Sequence, residues 1–461
     1  MTAETNKKPG STPGTDHPHS TTTAEPKNKS FFWLMLSGFI SMVGDQFTLI
    51  GLPWLTLKLT GDPMALGLVL AVVGIPRAAF ILLGGAIVDR YSPKSVLVWS
   101  KYVNTALIGA LAALVYSGGL TLPLLYTLAA AIGLASAFAY PAGTAILPFV
   151  VAREKLPQAN GLMMGMRQLT FFIGPLIAGF VIALFGADGL GAPALNGGVA
   201  AASPLAAEAT GLAIVFAADA ASFLISGLTL IPVRLRSSGH GPDSTASPAA
   251  TNVIKLLFEG IRSLLADRDL RTLFGYMALI QVFVVGPMQV GLPVFAESQL
   301  DGGAASFGTI MAAHGAGVLI GVIAAGAGLK LGFRTLGQTF LSIDIVIGLI
   351  VAAFGLVHST FAGGALMLLA GMLGGVVQVR IFSWLQGRTP PAQMGRVMSF
   401  FMFIVMGMAP IAASAAGWVL SRVDIVPFFI AAGVMLSLTA AVSLMIKPLR
   451  EVGAEDTPPR T

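Results

Sequence analysis

Met64 to Tyr116 reads MALGLVLAVVGIPRAAFILLGGAIVDRYSPKSVLVWSKYVNTALIGALAALVY, and the reading of this stretch decides the fold. A nearly uninterrupted apolar run from Met64 to Val88 ends in Asp89-Arg90-Tyr91-Ser92-Pro93-Lys94, and a second apolar run begins at Val96. Crossing the hydrocarbon core of a bilayer takes about 20 apolar residues at a rise of about 1.5 Å each. The stretch is therefore two membrane spans joined by a short charged turn. The pattern recurs along the chain, with spans predicted at 31–57, 64–88, 96–116, 121–149, 159–186, 211–232, 271–296, 305–329, 337–357, 361–387, 395–420 and 425–446.

Composition agrees. Apolar residues make up 55% of the 461 and charged residues 10%, against roughly 25% charged in soluble domains. The absence of cysteine removes disulfide frameworks, thiolate metal sites and cysteine nucleophiles. No Walker P-loop, HExxH or spaced His/Asp/Ser set is present, so neither ATP hydrolysis nor enzyme catalysis is indicated, and no cofactor or metal site is expected. Residues 1–30 are rich in Thr, Pro, Ser and Lys without an apolar core. They read as a disordered tail and not as a signal peptide.

Charge placement orients the spans. With both termini cytoplasmic, 22 of the 27 Lys and Arg residues, Lys94 and Lys101 among them, are assigned to inner segments. Lys58 and Arg422 fall outside, and Arg77, Arg167 and Arg380 fall inside spans. This is a strong positive-inside bias. It accounts for the net charge of +6 without a nucleic-acid partner.

The spans divide six and six about residues 233–270, which start Ser/Gly/Pro-rich and continue as an amphipathic segment over 253–265 (Ile254, Leu257, Phe258, Ile261, Leu265). The expected layout is an N-terminal bundle over 31–232, a cytoplasmic linker over 233–270, a C-terminal bundle over 271–446 and a cytoplasmic tail over 447–461. Arg153, Gln158 and Pro175 recur 235 positions later as Arg388, Gln393 and Pro410. That spacing suits a parallel repeat with a substrate site between the halves. The fold class is thus all-α, with twelve transmembrane helices in two pseudo-symmetric six-helix bundles. The outer 187–210 loop is Gly/Ala-rich and carries no readable chemistry.

Gly85, Asp89, Arg90 and Lys94 resemble the loop 2–3 signature of the major facilitator superfamily, with Ser92 where Gly is usual. The resemblance implies a cytoplasmic gate in which Asp89 meets the start of span 11, where Arg396 stands. Gly174-Pro175 and Gly179 in span 5 resemble the antiporter motif of drug-exporting members. Over about 31–446 the chain is similar to the macrolide-efflux and enterobactin-exporter branch, through Gly44-Asp45, Leu59-Thr60-Gly61-Asp62, Leu156-Pro157-Gln158-Ala159-Asn160-Gly161, Asp219-Ala220-Ala221-Ser222-Phe223 and Gly395-Arg396-Val397-Met398-Ser399. Ala129 occupies the place of the span 4 Arg that marks many proton-coupled drug exporters. A monomeric multi-pass protein of a bacterial inner membrane is what the resemblance implies.

Ionisable residues within spans are expensive in hydrocarbon and read as functional. Asp45 near the middle of span 1 and Asp219 in the outer half of span 6 are the proton-coupling candidates. Burial raises a carboxyl pKa and a neighbouring Arg lowers it, and a balanced carboxyl can load and release a proton. Arg77, Arg167 and Arg380 are candidate charged partners. Asp344, on a peripheral span, reads as structural. The leading reading is a proton-driven exporter of small amphipathic or hydrophobic compounds, with protons, a small-molecule substrate and the lipid bilayer as partners. An importer or facilitator of an anionic metabolite, siderophore or lipid, and a non-transporting receptor, are the competing readings.

Overall fold

The computed structural model describes residues 29–90, 92–186, 204–235, 267–328, 333, 335–389 and 391–454. Within these, the side chains of 81–90, 140, 153, 391–393, 395, 396 and 399 are outside the description. The amphipathic segment predicted over 253–265 also lies outside it.

Among the described residues there are twelve long apolar helices: α1 (Lys29–Thr60), α2 (Pro63–Arg90), α3 (Pro93–Ser117), α4 (Leu122–Ala145), α5 (Leu156–Leu184), α6 (Pro204–Leu230), α7 (Arg268–Gln299), α8 (Gly303–Gly326), α9 (Leu336–Phe354), α10 (Thr360–Arg388), α11 (Pro391–Leu420) and α12 (Ile425–Met445). Each matches one predicted span. Their starts follow local chemistry. Pro63, Pro93, Pro204 and Pro391 open helices, where a missing N–H loses nothing. Asp267, Thr335 and Ser359 accept backbone N–H bonds at the starts of α7, α9 and α10. The turn between α1 and α2 needs Gly61 at φ +65°, which a residue with a side chain rarely adopts.

Bundle one packs α1 on α6 and α5, α3 on α6 and α4, and α2 on α4. Bundle two packs α8 on α10, α9 on α12 and α7 on α11. Two helix pairs join the bundles, α5 with α8 and α2 with α11. The two pairs are related by the predicted repeat, since Pro175 lies on α5 and Pro410 on α11. A short π-helical turn, Pro287–Gly291, interrupts α7. There Gly291 lies close against Phe428 and Phe429 of α12.

The part of the chain read as a tail from 447 is a correction. A short helix, α13 (Lys447–Arg450), is followed by chain that packs back on bundle two. Leu449 and Val452 are buried with Trp384, and Gly337 N–H donates to the Val452 carbonyl at 3.0 Å. Two apolar side chains in a short polar segment are enough to dock it. The N-terminal tail is also shorter than read, because α1 already begins at Lys29.

With an even number of spans, Lys29 and Met445 lie on one side, called here the terminal side. On the far side the bundles touch. A Cβ on Gly179 would sit 2.8 Å from the Cα of Gly308, and one on Gly417 would sit 3.1 Å from the Cα of Gly67. Small residues permit such close approach of backbones in lipid. On the terminal side the halves separate. Gly161 precedes Gly179 by eighteen residues, five full turns, so it lies on the same helix face. Neither it nor Gly165 has a neighbour within 4 Å of a Cβ position. The two bundles form a clamp that is closed on the far side, while on the terminal side the α5 face at Gly161 and Gly165 has no close neighbour, which leaves a cleft there.

Candidate functional site

A polar ladder holds α1 to α6 and builds the site. Ser30 Oγ accepts from Arg234 N–H at 3.1 Å. Ser37 Oγ bonds the Ser226 carbonyl at 2.9 Å and meets its Oγ at 2.8 Å. Thr48 Oγ1 donates to Asp219 Oδ2, and Trp54 Nε1 donates to Glu208. In hydrocarbon such polar groups must be satisfied within the protein.

Asp219 is fully buried. Besides Thr48 it receives Ser222 Oγ at 3.3 Å, a hydroxyl that also donates to the Asp219 backbone carbonyl at 2.7 Å. Gly44 makes this fit possible, because a Cβ there would collide with Ser222 and Asp219. The helix begins at Pro204, seven residues before the predicted span, so Asp219 sits just past the middle of the helix while keeping its place in the predicted span. A span start is set by hydropathy in sequence, whereas the helix continues out of the apolar zone.

Asp45 lies three residues before Thr48 on the same helix, yet its side chain is exposed despite its mid-helix depth. It is therefore not packed into the α1–α6 seam as Asp219 is. Lys101, Arg77 and Arg167 act electrostatically on its carboxylate. Arg77 is exposed and Arg167 half-buried, with the Arg167 guanidinium 5.8 Å from the Phe171 ring. The structure places Asp45 on α1, Arg77 on α2 and Arg167 on α5, all in bundle one. It leaves Arg380 apart, half-buried on α10 of the other bundle.

Lys101 corrects the charge assignment. It stands nine positions into α3, buried, with its ammonium 4.8 Å from the Phe223 ring centroid. The signal was present, since Lys101 falls inside the span read as 96–116, and an intraspan cation is a candidate by default.

Gly85, Asp89 and Arg90 lie on the last turns of α2 and Arg396 on the first turns of α11, with side chains outside the description. Lys94 donates to the Ile231 and Val233 carbonyls at 2.8 and 2.7 Å. It caps the end of α6 within bundle one, as a cation favours a helix C-terminus. Gly174 packs against Gln46 of α1, the Pro175 carbonyl faces Gly308, and Gly179 faces Ala304 and Gly308. These span 5 residues thus form interfaces of α5. Asp344 is buried and accepts from Tyr276 Oη at 2.8 Å.

A second cluster closes the far side, and sequence reading missed it because Lys58 passed for a loop charge and Glu208 for a residue of a featureless loop. Lys58 Nζ lies 3.2 Å from Glu208 of its own bundle and 3.3 Å from Glu297 of the other. Trp54 is fully buried and stacks on Phe307 of α8 at 6.4 Å. Such part-exposed ion pairs contribute about 0.2–1 kcal/mol. Glu297→Gln is therefore expected to shift the far-side-open population by only about 1.5- to 5-fold, read as labelling of a far-side cysteine. A shift of a hundredfold would make the ion pair, and not the helix packing, the main closure.

Two helical bundles that touch on one side and leave a cleft on the other are the frame of a membrane transporter. The profile of the Major Facilitator Superfamily matches residues 34–414. The chain belongs to that superfamily and is a multi-pass membrane protein. It is similar to the MFS-type transporter y4rN of Sinorhizobium fredii, with 25% identity over 92% of this chain and 96% of that one. It is also similar to the enterobactin exporter EntS of Shigella boydii, with 28% identity over 80% of each. In fold it resembles the nucleoside transporter NupG (TM-score 0.65, 16% identity, 92% of this chain and 100% of that one). It likewise resembles a bacterial homologue of the iron transporter ferroportin in an inward-facing state (TM-score 0.62, 19% identity, 91% and 99%).

Proposed function

We propose that this chain is a proton-coupled exporter of small amphipathic or hydrophobic compounds. One observation carries the reading: two acids at mid-helix in bundle one, of which Asp219 is buried and hydrogen-bonded to Thr48 while Asp45, one turn from Thr48, is exposed. A carboxyl that meets water on one side of the cycle and is enclosed beside a second can exchange a proton as access alternates. The charge bias supports placing the terminal side in the cytoplasm of a bacterial inner membrane, with the protein acting as a monomer. The cleft then faces the cytoplasm, where an exporter loads. Similarity to EntS supports outward transport.

Arg77 and Arg167 at the cleft favour one second reading, an anionic substrate such as a siderophore. Everted vesicles holding the protein separate the two. Acidifying the lumen is expected to drive uptake of an amphipathic dye, and nigericin is expected to stop it. Uptake of enterobactin in place of dye supports the second reading. Uptake insensitive to the pH gradient would sink proton coupling.

A further inference from the structure

We propose that the chain leaving the sixth helix of each bundle is a clasp that fixes the terminal-side ends of that bundle, and that in bundle two the clasp is the segment 447–454. The proposal does not depend on proton coupling.

In bundle two the segment is held from two sides. At the start of α9, Thr335 Oγ1 donates to the Arg450 carbonyl at 2.6 Å and Gly337 N–H to the Val452 carbonyl at 3.0 Å. A Cβ on Gly337 would collide with the Leu449 carbonyl and lie 3.0 Å from that of Arg450, so the seat requires glycine. On the other side, Leu449 and Val452 are buried in one cluster with Leu341 of α9, Trp384 of α10 and Val397 of α11. Arg388 carries the contact onward. Its guanidinium lies 5.5 Å from the Trp384 ring and 3.1 Å from Asp269 at the start of α7.

Bundle one repeats the arrangement with different chemistry. Lys94 of α3 donates to the Ile231 and Val233 carbonyls just past α6. Val233 is buried in one cluster with Leu97 of α3, Ile146 at the end of α4 and Ala159 of α5. Lys94 and Gly337 are each the second residue of their helix. In both bundles, then, the start of the third helix binds carbonyls that follow the sixth, and an apolar residue of that chain packs among the third, fourth and fifth helices. A lysine does this in one bundle, a threonine and a backbone N–H in the other, so the contact repeats where the sequence does not.

The fifth helices, α5 and α11, are the ones that each bundle sends to the other, α5 to α8 and α11 to α2. A clasp packed on the terminal-side end of such a helix fixes where that end stands, and with it how the terminal side closes. Few groups hold the clasp of bundle two, so it can undock without unfolding the bundle.

Hydrogen–deuterium exchange of the full-length protein in lipid nanodiscs tests this. Val452→Asp puts a charge on the buried face of the clasp, and Gly337→Val blocks its seat. Each is expected to speed exchange at the start of α9, the end of α10 and the start of α11 by about tenfold, and to leave α3, α5 and residues 231–235 unchanged. Lys94→Met is expected to give the reverse pattern. Should either bundle-two variant fail to fold, Val452→Ser loosens the same contact more mildly and is expected to give the same pattern. Unchanged exchange at the start of α11, or a rise spread evenly over both bundles, overturns the proposal.

Discussion

Asp45→Asn is expected to abolish pH-driven substrate accumulation while leaving the protein folded in the membrane, and Asp219→Asn to do the same. Asparagine keeps nearly the shape of aspartate, and at 219 its carbonyl can still accept from Thr48, while Ser222 keeps its bond to the backbone carbonyl of residue 219. What disappears is the ability to bind and release a proton. One charge crossing a potential of 100 mV is worth about 2.3 kcal/mol, so exchange of one proton for one uncharged substrate sustains about a 50-fold gradient. The variants should reach no gradient above that of empty liposomes, although counterflow of substrate across a carrier that still rocks should survive. Asp45 is exposed, so its variant is the cleaner of the two, whereas Asp219 also belongs to the α1–α6 ladder. Accumulation that follows the pH gradient in both variants would remove the acid pair from the mechanism.

The second large effect is mechanical. Gly179→Val should hold the far side open. In the closed arrangement the new side chain would run into the Ala304 carbonyl and the Gly308 backbone, and backbone on both sides cannot step aside as a flexible side chain can. Overpacking of this kind costs about 1–3 kcal/mol. Here it falls on one conformation only, which shifts the balance by about 5- to 150-fold. Cysteine probes on the far side should label faster and net transport should fall. Gly165→Val, on the same face of α5 where nothing lies within 4 Å, should not raise far-side labelling. Equal behaviour of the two variants would show that the contact is not what closes the clamp.

Much of the fold was legible because membranes impose simple rules. Apolar length located twelve helices, whereas the pairs that join the bundles, α5 with α8 and α2 with α11, depend on packing that span length does not report. The site was legible in part. Asp45, Arg77 and Arg167 could be named because charge inside a span is conspicuous, and the placement of each side chain was not visible because it depends on how three helices rotate. Lys101 and Lys58 were misread for one reason: counting positive charges by loop treats any cation near a span end as an anchor. Both side chains instead turn inward, Lys101 toward the Phe223 ring of α6 and Lys58 toward Glu208 and Glu297. Docking of Leu449 and Val452 was hidden because two apolar residues make no periodic signal. The gate residues Asp89 and Arg396 rest on resemblance alone.

The ladder between α1 and α6 has a further consequence. All of its rungs, from Ser30 and Arg234 to Trp54 and Glu208, lie within one bundle, while the Gly179–Gly308 seam lies between bundles. Compliance is therefore concentrated at the seams and withheld from the acid pair. As the clamp rocks, Asp219 and its hydroxyl donors travel as one stiff body, and the distances that fix its affinity for a proton stay constant. On the proton-coupled reading proposed above, what varies over the cycle is the hydration of Asp45, and wetting and drying of the cleft would set the timing of proton exchange.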